Sequence, residues 1–124
     1  MALTLVTCCY ILTSCSQKQE HADAVSNISV EQAKKLISDN AGLIVVDVRT
    51  PEETAEGKLD NAIEINFFDD DFEAQVGELS KEEDYLIYCR SGRRSAKAAD
   101  KMINLGFKSV YNMEGGYNSW SESE

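Results

Sequence analysis

A chain of 124 residues has room for one domain, and with 43% hydrophobic residues and a single proline it is not a disordered chain. A formal net charge of -10 argues against binding to a nucleic-acid backbone and makes any basic cluster a local reversal of sign. Of the four cysteines, Cys8, Cys9 and Cys15 fall in the first segment, which leaves Cys89 with neither a disulfide partner nor a resolving thiol in the body of the chain.

Taken in order, residues 1–14 carry no charge and are mostly apolar or small. They are too few to span a bilayer and read as the apolar part of a signal peptide. Leu12-Thr13-Ser14-Cys15 resembles the lipobox of bacterial lipoproteins. That resemblance implies a lipid on Cys15, loss of Cys8 and Cys9 with the peptide, and a membrane-anchored protein of the periplasm or cell surface. The alternative is an ordinary apolar N-terminus of a cytoplasmic protein. Residues 15–26, which include the sole histidine, His21, are expected to be a tether, with residues 27–124 forming the folded domain.

In the body, Ile28 ends a short first strand. Ser29 with Gln32 fits a capping box, and Val30, Ala33, Leu36 and Ile37 form a helical stripe stopped by Asn40 and Gly42. Leu43–Val48 is almost continuously apolar, as in a strand covered on both faces. Thr50-Pro51-Glu52-Glu53 starts a second helix, with a cap, a proline at the first helical position and Glu three residues after the cap; Gly57 ends it. Ala62–Ile65 predicts a third strand. Asp70 or Asp71 is placed to cap a short helix with Phe72, Val76 and Leu79 inward. Tyr85–Tyr88 predicts a fourth strand, and a helix follows from about Arg94 to Leu105, with Ala99, Met102 and Ile103 inward and Gly106 as its left-handed stop. Val110-Tyr111 is a last strand, Gly115-Gly116 a turn, and a short helix ends near Trp120. Strands alternating with helices give an α/β fold, a mostly parallel central sheet of about five strands with helices on both faces. Ligands of such sheets bind at the carboxyl ends of strands, where Cys89 falls.

The fourth strand delivers Cys89 into the loop Arg90-Ser91-Gly92-Arg93-Arg94-Ser95, which holds three of the chain's four arginines. A free thiol titrates near pH 8.5. Backbone N–H groups curled around the sulfur at a helix N-terminus, with arginine charge beside them, supply about 2–3 kcal/mol in favour of the thiolate. Ser91 and Gly92 let the backbone come close. No histidine is placed to act as the base or acid of a cysteine hydrolase. The phosphatase spacing, Cys and then Arg six residues on, fails because Ser95 holds that position and Arg94 comes one early. Sulfane sulfur transfer needs no proton movement and fits the smaller loop. No Cys–His metal spacing exists, and no cofactor is expected.

Cys89-Arg90-Ser91-Gly92-Arg93-Arg94-Ser95 resembles the active loop of the rhodanese family, Cys-Arg-x-Gly-x-Arg-Ser. Val45–Arg49 with Glu52-Glu53 is similar to its Asp-x-Arg segment, Gly57–Ile65 to its Gly-His-Ile-Pro-Gly-Ala-Ile segment, and Gly115-Gly116 with Trp120 to its closing turn. Lys58, Asp60 and Asn61 replace the His, Pro and Gly of the middle segment, and none is a reacting group. The resemblance covers about residues 27–121. It implies a rhodanese-like fold and a sulfurtransferase in which Cys89 carries a persulfide. Arg90 and Arg93 or Arg94 meet a small anionic donor such as thiosulfate, the acceptor is cyanide or a thiol, and Asp47 and Arg49 brace the site. A rhodanese fold that binds or carries sulfur without turnover is the competing reading.

Several polar residues read better as structural. Asp47 and Arg49 fit an ion pair tying a strand end to a helix start, Glu52 and Glu53 fit helix-cap residues, and Asp69-Asp70-Asp71 fits a solvated cap. Tyr117 and Trp120 are expected in the core.

Overall fold

The computed structural model describes residues 24–124, so the expected signal peptide, Cys15, His21 and most of the tether lie outside the described residues. The elements run β1 (Ser26–Ile28), α1 (Val30–Asp39), β2 (Ile44–Asp47), α2 (Pro51–Thr54), β3 (Ile63–Glu64), α3 (Phe72–Gly77), β4 (Asp84–Tyr88), α4 (Arg93–Asn104), β5 (Ser109–Met113) and α5 (Gly116–Glu122). The five strands form one sheet in the order β1-β5-β4-β2-β3, and every pairing in it is parallel.

Strand alternation divides the core in two. Val46, Val48, Tyr85, Ile87, Cys89 and Val110 face α3 and α4, where Phe72, Val76, Ala98, Ala99 and Met102 close over them. Val45, Leu86, Tyr88 and Met113 face the opposite layer, where Val30 and Ala33 of α1 pack with Leu59 and Ala62. Both faces of β2 and β4 are therefore covered, which is why their sequences show no polar alternation. The helix starts follow the capping chemistry. Ser29 and Thr50 each form a complete capping box, with Gln32 and Glu53 respectively.

The structure differs from expectation at the margins. The tether ends early, since Ser26 already pairs with Tyr111 in β1 and Val25 packs on the core. β3 shrinks to two exposed residues, because it is an edge strand reached through a turn in which Asn61 takes a positive φ of 61°. Asp71 occupies the position before α3 but makes no side-chain cap; it accepts from Gln75 Nε2 at 2.7 Å instead. Tyr117 and Trp120 are half-buried at the edge of the second core rather than inside it.

Candidate active site

The site is built where β4 ends. Tyr88 turns toward the α1 face and the next residue, Cys89, toward the α4 face. The chain then crosses from Arg90 to Gly92 and enters α4 at Arg93. The closing turn clamps this crossing: the Tyr117 amide donates to the Cys89 carbonyl at 2.8 Å and the Asn118 amide to the Arg90 carbonyl at 3.0 Å. Two glycines permit this backbone-to-backbone approach. Gly92 has φ +100°, and a Cβ there would sit 3.3 Å from the Gly115 nitrogen. Gly116 has φ +56°, and its Cβ would fall 2.5 Å from the Cys89 oxygen. Gly92 thus makes room for the closing turn as well as for the sulfur.

The Cys89 side chain is buried, and its Sγ lies 3.1 Å from the Gly92 amide and 3.4 Å from Ser95 Oγ. Burial pushes the thiol pKa up. The Ser95 hydroxyl and the amides of Ser95, Gly92 and Ser91 more than reverse this, so the net shift is downward. Of the amide cradle expected over residues 90–95, only the Gly92 amide is at hydrogen-bond distance from the sulfur, and the Ser95 hydroxyl stands beside it as the leading cause of the downward shift. Arginine charge is not among its leading causes, contrary to the weight the sequence suggests.

The three loop arginines part company. Arg90 and Arg93 are exposed and make no salt bridge among the described residues. Arg94 reaches across to α2, donating to both carboxylate oxygens of Glu53 at 2.7 and 2.8 Å, and lies over the exposed Phe68 ring at 5.4 Å. Its hydrogen bonds to Glu53, ahead of the pull of the Cys89 charge, raise its pKa. Glu53 is held well down, at about 2, chiefly by Arg94 and further by the Thr50 amide. The reading of Glu53 as a cap residue is right but incomplete, because the same carboxylate also fixes Arg94.

Asp47 and Arg49 form the expected ion pair. It is buried, with Arg49 Nη2 at 2.7 Å and Nε at 3.0 Å from the carboxylate. Tyr88 donates to Asp47 at 2.6 Å and accepts from the Leu59 amide at 3.1 Å. Arg49 also donates to the Gly57 carbonyl and stacks on Tyr117 at 4.2 Å. Burial opposes the charge on Arg49, but the bonds and charge of Asp47 outweigh it and the pKa rises. The pair ties the ends of β2 and β4 to α2 and α5 beneath the loop. A pocket of about 150 Å³ lined by Arg49, Glu53, Arg90 and Tyr117 opens beside it. A second pocket, of about 400 Å³ near Ile37, Leu43 and Ile63, lies at the opposite ends of the strands and takes no part in the site.

Sequence reasoning misses one site residue altogether, Asn112. Asn112 of β5 accepts from Ser95 Oγ at 2.6 Å and donates to Asn27 Oδ1 of β1 at 3.0 Å and to the Gly92 carbonyl at 3.4 Å. The available signal is an asparagine between Tyr111 and Met113, a polar residue in a stretch that otherwise reads as core.

The profile of the family described as "Rhodanese-like domain" matches residues 29–123. The chain is 32% identical over 97 residues to a sulfurtransferase of Allochromatium vinosum, covering 78% of this chain and 89% of that protein. It is 32% identical over 114 residues to the chloroplastic thiosulfate sulfurtransferase 16 of Arabidopsis thaliana, covering 84% and 93%. The crystal structure of a rhodanese-like domain protein from Staphylococcus aureus superposes with a TM-score of 0.69 at 33% identity, over 77% of this chain and 91% of that one.

Proposed function

The chain belongs to the rhodanese-like domain family, and from that premise we propose that it moves sulfane sulfur from a donor such as thiosulfate to cyanide or a thiol, through a persulfide on Cys89. The observation that carries this reading is the Cys89 sulfur held by the Gly92 amide and the Ser95 hydroxyl at a strand end. In the first half-reaction the thiolate attacks the outer sulfur of thiosulfate. A bond forms between Cys89 Sγ and that sulfur, the donor's S–S bond breaks, and sulfite leaves with the electron pair. The persulfide anion rests where the loop amides stabilise it. In the second half-reaction cyanide or a thiolate attacks the terminal sulfur and Cys89 departs as thiolate, which restores the enzyme. No proton moves in either displacement of the anionic forms, in keeping with a site that has no histidine among the described residues.

Incubation with thiosulfate should add one sulfur atom, mapped by mass spectrometry to Cys89, and thiosulfate–cyanide turnover should disappear in Cys89→Ser. Turnover retained by that variant refutes the assignment. We further propose that the protein is anchored by a lipid on Cys15. The support is the resemblance of Leu12–Cys15 to a lipobox followed by a polar stretch.

A further inference from the structure

The hydroxyl of Ser95 has one proton and two acceptors within reach, Asn112 Oδ1 at 2.6 Å and Cys89 Sγ at 3.4 Å. The orientation of the Asn112 amide decides which of them receives it. The Gly92 carbonyl can only accept, so the atom facing it is Nδ2, which also donates to Asn27 Oδ1. Oδ1 is thereby turned toward Ser95, and the short Ser95–Asn112 contact is a hydroxyl donating to an amide oxygen. Ser95 and Asn112 are both buried, so neither exchanges partners with solvent. While Ser95 donates to Asn112, its lone pairs face the sulfur and suit a neutral thiol, which donates. An anionic sulfur needs the opposite arrangement, with the hydroxyl rotated toward it and Asn112 Oδ1 left without that donor.

We propose that Asn112 is a positioning residue for the sulfur chemistry: its Oδ1 accepts the Ser95 hydroxyl hydrogen bond while Cys89 is a thiol and loses that bond to the sulfur when the sulfur becomes anionic. The competition holds the sulfur more basic than the loop alone would leave it. A more basic thiolate is a stronger nucleophile, and attack is fastest when the thiol titrates near ambient pH. Hydrogen bonds thus run from Asn27 of β1 through Asn112 of β5 to Ser95, beside the sulfur that follows β4.

The charged groups around Cys89 are the same on either side of this switch. Arg94 of α4 is paired with Glu53 of α2, Arg49 with Asp47 at the end of β2, and Arg90, Arg93 and Glu114 are exposed. Tyr88 faces the other layer. A change confined to Asn112 therefore reports on the hydroxyl.

This inference deepens the reading of Cys89 as the sulfur carrier and rests on it for its purpose, but its test does not use sulfur transfer. The rate of iodoacetamide alkylation is followed against pH in the full chain and mapped to the Cys89 peptide. Asn112→Leu should lower the midpoint by roughly 0.5–1 pH unit, because the hydroxyl is released to the thiolate. Ser95→Ala should raise it. In the Ser95→Ala background, Asn112→Leu should no longer move it. A midpoint that stays or rises in Asn112→Leu, or the same drop with and without Ser95, overturns the proposal, since a general loosening of the loop needs no hydroxyl. Asn112→Ala introduces no bulk and is read in the same way if the leucine variant does not fold. Failure of the alkylation shifts leaves sulfur transfer standing, and failure of persulfide formation leaves the hydroxyl switch intact.

Discussion

Tyr88 and Cys89 are neighbours that do different work because a strand turns successive side chains to opposite faces. Tyr88 donates to Asp47 and accepts from the Leu59 amide, in a fully buried position. Burial, with Asp47 second, raises its pKa, so the hydroxyl stays protonated and remains a donor. Tyr88→Phe preserves the ring and removes both bonds. It leaves the Leu59 amide without its partner and Asp47 with Arg49 alone, a loss of about 2–3 kcal/mol. Denaturant unfolding should show that loss, while the persulfide proposed for Cys89 should still form in the folded variant, since Tyr88 lies in the other layer. Unchanged stability, or lost persulfide formation in a folded variant, contradicts this division of labour. At this scale the sequence discloses those site residues whose chemistry is local. Cys89, its glycine and its arginines stand in one loop, and Asp47 and Arg49 are two apart. It hides the residues that act from another element. Asn112 lies 17 positions from Ser95, and nothing about an asparagine in a strand says which loop it faces.

Between elements, the decisive contact is the one from α4 to α2 made by Arg94 and Glu53. Glu53 is occupied twice, closing the capping box with Thr50 and holding both Arg94 donors, so a single carboxylate fixes the start of one helix against the start of another. Its folded pKa of about 2 lies below the ordinary 4.5. The folded state therefore binds this proton less readily than the unfolded state. The stabilisation is complete above about pH 4.5 and is lost as the pH falls toward 2. The gap corresponds to at most about 3 kcal/mol, and partial solvent screening brings the expected value to about 1–2 kcal/mol. The difference in unfolding free energy between the wild type and Glu53→Gln should be of that size at pH 6 and have lost roughly half of it by pH 3. A difference that is constant with pH means that the carboxylate charge is not what joins the helices. The elements themselves are largely legible because each is marked locally: capping boxes at Ser29 and Thr50, an almost continuous apolar run through β2, and Gly106 after α4. β3 is misjudged in extent. Edge pairing to β2 decides where such a strand starts and stops, and that pairing leaves no periodic trace in Ala62–Ile65.

For the molecule as a whole, the proposed donor, thiosulfate, is a dianion, and the chain that would admit it has a net charge of -10. The internal pairs of the site cancel, Arg49 against Asp47 and Arg94 against Glu53. Arg90 and Arg93 remain as the exposed cations of the loop, within a few residues of the sulfur. A guanidinium about 8 Å from a dianion in water contributes roughly 1 kcal/mol of attraction before screening. The repulsion from the rest of the body acts over longer distances and is felt most when the Debye length is long, about 30 Å at 0.01 M salt against about 10 Å at 0.1 M. The two arginines are therefore expected to set the sign of the salt effect. In the wild type, kcat/KM for thiosulfate should stay level or fall as salt rises, because the nearby attraction offsets the body. In a variant carrying both Arg90→Gln and Arg93→Gln, kcat/KM should be about three- to tenfold lower at low salt and should climb as salt screens the remaining repulsion. A double variant with the salt profile of the wild type would show that these side chains do not govern the approach. Entry of the donor would then depend on the amides and the hydroxyl beneath them.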